Sequence, residues 1–310
     1  MGKKKRERIE FRYYEMPQNE WALILTGQKW TRIYGHDVTG LHFHNILEIG
    51  YCHDGTGDLI FEERTYRFKG GMISAIPARF PHTTVSDIDV FGTWEYIFID
   101  VEGFLREMYK DSPLFAQKLI EGVNKNAIFI EAKENEKLMY LIKGIINETI
   151  DKREFYLESI KGMTLSLLLE LVRMNESEEI ENKVRTKSDM QIEKALAYVG
   201  ANYVQPLKIE ELADECHMSE PHFRRLFGAY MNMTPLEYIN LIRIQKACEL
   251  IKKSNDSMHN IAIKVGYTAH CTFDRNFKRI VGMPPNEWRA RSDNYEGKLL
   301  NYNISTLKGW

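Results

Sequence analysis

Two stretches in the last third of this chain repeat one another, and a chain that repeats must fold the same small unit twice. The first is IEELADECHMSEPHFRRLF from Ile209, and the second is MHNIAIKVGYTAHCTFDRNF from Met258. Leu212-Ala213 aligns with Ile261-Ala262, Cys216 with Val265, Met218 with Tyr267, and Ser219 with Thr268. After one inserted residue, Phe223, Arg225 and Phe227 align with Phe273, Arg275 and Phe277, so the offset grows from 49 to 50.

Each copy reads as helix, tight turn, helix. The first helix buries a Leu-Ala or Ile-Ala pair, whose alanine lets another helix approach closely. The turn holds Gly266 in the second copy, where a positive φ is expected. Ser219 or Thr268 is expected to cap a second helix whose phenylalanines, four residues apart, face inward. Between the copies, TPLEYINLIRIQKACELIKKS opens with a capping box, Thr234 with Glu237. Pro235 falls in the first turn, where its missing N–H does no harm. The connector is then one helix of roughly 28 Å, at about 1.5 Å per residue. That length suits two units held about 34 Å apart, one turn of DNA.

With Phe223 and Phe227 inward, helical steps of about 100° turn Pro221, Arg224, Arg225 and Gly228 outward, with His222 beside them. The same construction from Phe273 and Phe277 turns Cys271, Arg275 and Lys278 outward, with Thr272 on the flank and His270 in the first turn. Arginine suits bidentate contact with guanine, and His or Thr suits a base edge or a phosphate. Glu220 is placed either to accept from a cytosine amino group or to cap its own helix. A lone arginine is usually a solvated surface charge. Arg225 and Arg275 occupy equivalent outward places in duplicated units, which favours DNA contact for both.

The rest of the chain is of a different kind. From residue 190 onward Lys and Arg exceed Asp and Glu by 16 to 13, and before it they fall short by 26 to 31. That asymmetry permits a nucleic-acid partner without requiring one. Cys52, Cys216, Cys248 and Cys271 are scattered with no C-x-x-C pair, which argues against a disulfide framework or a cysteine zinc site. A reducing cytoplasm is expected, with no signal peptide and no membrane contact. Up to about Ile130 the pattern is of strands separated by turns, as in DLIFEERTYRF, MISAIPARFPH and FGTWEYIFIDV, which suggests a β-sandwich or barrel. Leu138, Leu141, Ile142, Ile145 and Ile146 then recur at helical spacing, and a second apolar helix follows from about Phe155 to Met174. Two such helices bury against the barrel or against a second subunit. NESEEIENKVRTKSD, from Asn175, reads as an interdomain linker.

The segment from Pro206 to Arg289 resembles the C-terminal domain of AraC/XylS-type bacterial transcription regulators. The residues that carry the resemblance are the two repeats, the connector, and the ending Gly282, Pro284, Pro285, Trp288 and Arg289. The resemblance covers about a quarter of the chain. It implies a seven-helix fold with two recognition helices in successive major grooves, promoter binding, and most often activation. Asp274 departs from the pattern, and there it either reads cytosine or weakens phosphate contact.

One motif remains, HFHNILEIGYCHDG from His42. On an extended strand His42, His44 and Glu48 share parity and point to one side. With Gly71, Pro77 and His82 the spacing resembles the two cupin motifs, although Arg79 and Ser86 stand where Gly and Asn are usual. In metal-binding cupins the positions matching His42, His44, Glu48 and His82 are the ligands. In AraC-type regulators the same pattern lies in an effector-sensing domain and does not by itself mean metal. Metal-free sensing is therefore the expectation, with Trp94 among the effector-binding residues and no cofactor. Trp21, Trp30, Tyr34, Trp94 and Tyr96 are candidate surfaces for a sugar ring, although such aromatics are more often core.

The expected architecture is α+β and multidomain. A cupin-like β-barrel spans 1–132, a helical dimerisation segment 133–175 and a linker 176–189. A double helix-turn-helix spans 190–290 and a tail 291–310. The expected partners are promoter DNA, a small-molecule effector with carbohydrate as the leading class, RNA polymerase and a second copy of the chain. The competing reading is a metal-dependent cupin enzyme fused to a DNA-binding module.

Overall fold

The computed structural model describes residues 10–12, 14, 16, 20–35, 41–61, 64–177, 187–231 and 233–290. The tail 291–310, with Leu299, Leu300 and Trp310, lies outside the described residues, as does most of the linker. The chain forms two compact units, Met1–Val184 and Arg185–Trp310.

The first unit is built on two facing sheets. Strands β1 (Glu10–Arg12), β2 (Ala22–Leu25), β3 (Thr31–Arg32), β4 (His42–His44), β5 (Leu47–Asp54) and β6 (Thr56–Phe61) lead off. They are followed by β7 (Arg64–Lys69), β8 (Met72–Ile76), β9 (Thr83–Ser86), β10 (Gly92–Ile99) and β11 (Ile128–Glu131). The larger sheet runs β11-β8-β5-β10-β2, with β3 also on β10, and the smaller runs β7-β6-β9. The parallel pair β1-β4 stands apart. The chain crosses from β5 in the larger sheet to β6 in the smaller at Gly55, where φ is 100° and a Cβ would lie 2.6 Å from the Phe91 carbonyl.

β5 lies in the middle of the larger sheet and is buried on both faces. Leu47 and Ile49 join Ile73, Ala75, Ile97 and Ile99 in a core shared with the helices. Glu48 and Gly50, one residue out of phase, point the other way, toward the small sheet. The helical layer comprises α1 (Val101–Met108), α2 (Pro113–Val123), α3 (Glu136–Asp151) and α4 (Tyr156–Glu176). Leu138, Leu141, Ile142, Ile145 and Ile146 of α3, with Leu167, Leu168 and Leu171 of α4, lie in that same core. Of the two partners open to these helices, the sheet takes their apolar stripe.

The expectation of strands alone up to Ile130 is corrected, because α1 and α2 lie between β10 and β11. Asp100 caps α1 by accepting from the Gly103 N–H at 2.9 Å, and Pro113 opens α2. Asn175 stitches the end of α4 to the end of α2. It donates to the carbonyls of Gly122 and Val123, at 2.9 and 3.2 Å, and accepts from Asn126. The boundaries of the linker also shift: α4 runs on to Glu176, and the next helix is already formed at Lys187.

The second unit is all helical among the described residues. It contains α5 (Lys187–Asn202), α6 (Ile209–Glu215), α7 (Glu220–Met231), α8 (Pro235–Lys253), α9 (Met258–Lys264), α10 (His270–Val281) and α11 (Pro285–Ala290). The pairs α6–α7 and α9–α10 are the duplicated units, and α8 joins them. Thr234 and Glu237 form the reciprocal capping box at the start of α8. Leu212, Ala213, Ile261, Ala262 and the four phenylalanines of the repeats are all buried.

One detail of the second repeat is corrected. Thr268 does not cap α10, because the inserted residue lies in the turn and makes Ala269 the N-cap, without a side-chain bond. The turns themselves are equivalent: Gly266 has a φ of 90°, and His217, its counterpart, has a φ of 55°.

Candidate functional sites

The first site lies inside the barrel. His42 and His44 come from β4, Glu48 from β5, and His82 from the segment leading into β9. His42 and His82 exchange backbone hydrogen bonds at 2.8 Å in both directions, which brings their strands together. All four side chains are buried, and one donor atom from each lies within 4.8 Å of the others. His42, His44 and Glu48 do converge, but across a bend at Asn45 and Ile46 that separates β4 from β5 rather than along one extended strand, and His82 joins them from the far motif.

The hydrogen bonds set which nitrogens face the centre. His44 Nδ1 donates to the Ile46 carbonyl and His82 Nδ1 to the Phe80 carbonyl, each at 2.8 Å. Their Nε2 atoms then point to Glu48 Oε2, at 3.0 and 3.7 Å. Burial is the largest influence on His42 and His44 and pushes both below the ordinary imidazole value. Burial also opposes the charge on Glu48, but the two facing histidines outweigh it and hold the carboxyl well below its usual range.

Arg79, in place of the usual glycine, has a φ of 67° and donates its N–H to the His44 carbonyl at 2.7 Å. The left-handed backbone explains why glycine suits that position. Ser86, the other departure, exchanges hydrogen bonds with Tyr34, accepting at its side chain and donating from its backbone.

Trp94 stands elsewhere in the barrel. Phe98 pairs with Glu48, Tyr96 with Gly50, and Trp94 with Cys52. Four residues of strand put Trp94 about 13 Å from the level of Glu48. Its ring stacks on Tyr96 and meets Phe68 and Tyr34, beside the space left by Gly50. Trp21 packs against Phe104 of α1, on the helical side. Trp30 meets Tyr96, and the Arg32 guanidinium lies over both Trp30 and Tyr34.

Sequence reasoning missed Tyr14, whose ring lies 5.7 Å from that of His44 and stacks on Phe98. Asn45 holds it there with two hydrogen bonds to the Tyr14 backbone. Burial pushes the Tyr14 hydroxyl up to about 12. No local pattern announces a contact across 31 residues of chain.

The second site is the outer face of α7 and α10. Pro221, His222, Arg224 and Arg225 are exposed on α7, and Cys271, Arg275 and Lys278 on α10, with His270 and Thr272 half-buried. Arg224 pairs with Glu220 at 2.6 Å, and Arg225 donates to His222 Nδ1 at 3.0 Å. Asp274, the departure on α10, pairs with His270 Nδ1 at 3.2 Å. Arg275 and Lys278 make no ion pair or side-chain hydrogen bond among the described residues. Both faces expose basic side chains, but they are unequal in pairing.

Comparison with known proteins bears on both units. Residues 31–147 match the AraC-like ligand binding domain, and residues 212–291 match a helix-turn-helix domain. The chain is 26% identical to the uncharacterized HTH-type transcriptional regulator YfiF of Bacillus subtilis, over 84% of this chain and 82% of that one. It is also 26% identical to the raffinose operon transcriptional regulatory protein RafR of Pediococcus pentosaceus, over 71% of this chain and 76% of that one. Among solved structures, ToxT from Vibrio cholerae O395 aligns with 87% of this chain and 95% of that one, at 16% identity and a TM-score of 0.40. The matched domains and the two relatives indicate a transcription regulator and not a cupin enzyme. An AraC-like ligand-binding domain preceding a duplicated helix-turn-helix is the arrangement consistent with the AraC/XylS type of transcription regulators.

Proposed function

We propose that α7 and α10 read a promoter through Pro221, His222, Arg224, Arg225, His270, Cys271, Thr272, Arg275 and Lys278. The observation that carries this reading is the equivalence of the two helices. Each buries a phenylalanine pair on one side and exposes basic side chains on the other. α8, at 19 residues, is about 28 Å long, which suits two helices in successive major grooves.

The barrel is the effector domain, with His42, His44, Glu48 and His82 at one level of the lumen and Trp94 at another. Carbohydrate is the expected class, since a relative is named for the raffinose operon and the lumen carries aromatic rings. α3 and α4 mediate a homodimer through the apolar side chains that the core leaves out. Tyr140, Ile150 and Phe155 are 75%, 62% and 70% exposed. The resemblance to AraC/XylS activators favours activation through RNA polymerase, in a reducing cytoplasm. No helix among the described residues is long and apolar enough to cross a membrane.

The test is titration of the full chain into a DNA fragment from upstream of its own gene, at fixed salt, with and without candidate sugars. A footprint that spans two successive major grooves and shifts with one sugar is the expected result. A footprint confined to one groove would remove the second reading helix from the account.

A further inference from the structure

We propose that Asp274 is a base-reading residue of α10, accepting from the exocyclic amino group of a cytosine, and that His270 positions its carboxylate. This rests on the reading of α7 and α10 as the two DNA-contacting helices, and the experiment below separates one from the other.

At an offset of 50, His270 and Asp274 of α10 stand where Glu220 and Arg224 stand on α7. Each helix closes a side-chain pair across these two places. On α7, Arg224 donates from Nε and Nη2 to Glu220 Oε1, at 2.7 and 2.6 Å. On α10, His270 Nδ1 lies 3.2 Å from Asp274 Oδ2. Both repeats therefore pair the same two places, with the acidic and the basic partner exchanged. Arg225 and Arg275 also coincide, so the two faces share one arginine and differ in the pair beside it.

Helix stability accounts for the first pair and not for the second. An acid in the first turn, with a base four residues on, suits both the helix dipole and the i,i+4 preference. Glu220 and Arg224 follow that order, and His270 and Asp274 reverse it. α10 has no acidic residue in its first turn, and its N-cap, Ala269, makes no side-chain bond. The acid has moved to the second turn, where the dipole no longer favours it.

The chemistry of a carboxylate says what it does there. It has only acceptor sites, so every phosphate of a bound duplex repels it. The donors it meets in the major groove are the amino groups of cytosine and adenine. Adenine sets an acceptor, N7, beside its amino group, whereas cytosine presents the amino group alone. Cytosine is therefore the base that fits. His270 engages Oδ2, and Oδ1 has no side-chain partner among the described residues. The Asp274 side chain is 46% exposed, open to a base edge. Repulsion wherever no amino group is offered makes the residue act on specificity more than on affinity. On α7 the same place offers Arg224, which suits guanine or a phosphate. The two half-sites are thus alike at the contacts of Arg225 and Arg275 and unlike beside them.

In the experiment the full chain selects its preferred duplex from a randomised pool at fixed salt. Affinities for every single-base change in that duplex are then measured. Wild type is expected to prefer cytosine at one position of the α10 half-site by about 5- to 150-fold. Asp274→Ala loses that preference and no other, and binds non-specific DNA more tightly. Asp274→Asn moves the preference to adenine, because a carboxamide pairs with N6 and N7 together. His270→Ala weakens the cytosine preference without moving it to another base. His270→Glu with Asp274→Arg gives α10 the α7 pair and abolishes the preference. Unaltered base preferences in the α7 half-site report that each variant is folded. Asp274→Ala and Asp274→Asn chains with every base preference unchanged, while Arg275→Ala still relaxes specificity, overturn the proposal and leave the two-helix reading standing. Base preferences that ignore Arg275→Ala as well remove the two-helix reading itself.

Discussion

His217 and Gly266 occupy the same place in the two repeats, and both backbones turn left-handed there, with φ of 55° and 90°. The second position is the more demanding. A Cβ on Gly266 would lie 2.7 Å from the Val204 carbonyl and 2.8 Å from that of Tyr203. Arg243 of α8 grips the same segment from another side, donating to the carbonyls of Tyr203 and Gln205 at 2.8 Å each. Gly266→Ala is therefore expected to destabilise the second unit by about 2 kcal/mol or more, from strain and the clash together. His217→Gly is expected to stabilise it, by up to about 1 kcal/mol, by relieving a left-handed side chain. Urea melts of the two variants check both signs.

The unequal pairing of α7 and α10 bears on DNA affinity. Arg224 must leave Glu220 to meet a phosphate, whereas Arg275 starts with no such partner. Arg275→Ala should weaken promoter binding by about 1–3 kcal/mol and, if the contact is to a guanine, relax specificity at that base. Glu220→Ala should tighten non-specific binding and steepen its salt dependence by about one unit of slope. Fluorescence anisotropy at several salt concentrations reads both, and an unchanged slope for Glu220→Ala would place Arg224 away from the phosphates.

Asn175 makes its bonds where the chain leaves the sensor unit. Replacing it with Ala strands the carbonyls of Gly122 and Val123 in a buried place, at a cost of about 1–3 kcal/mol. The loss should appear in the melt of the first unit and leave that of the second unchanged.

The proposed dimerisation through α3 and α4 has a direct test in the side chains that the sheet does not cover. Tyr140→Asp with Phe155→Asp should convert a dimer to a monomer by analytical ultracentrifugation. Stability should change little, within about 0.5 kcal/mol per site, because both positions are exposed. A dimer that survives both changes would move the interface elsewhere.

What could be read from the sequence depended on how local the signal was. The repeats, the capping box of Thr234 with Glu237 and the inward phenylalanines are all patterns within a few turns of chain. The spacing of His42, His44 and Glu48 is local too. The distance of Trp94 from that cluster depends on the β5–β10 register, which no short pattern carries. Tyr14 reaches His44 through Asn45, far along the chain, and was invisible for the same reason. α1 and α2 were missed because their apolar residues follow a run of strands. The helical spacing of Val101, Phe104 and Leu105, and of Ala116, Leu119 and Val123, was legible in principle. The misplaced cap at Thr268 came from an insertion that alignment alone could set on either side of it.

Leu47, Glu48 and Ile49 are consecutive, and that makes β5 a diaphragm one backbone thick. Glu48 takes any push from inside the barrel, while its two neighbours are wedged among the helical side chains. Close-packed interiors compress little, so such a diaphragm has no slack in which to lose a displacement. The layer that receives it is the one whose outer surface carries Tyr140 and Phe155.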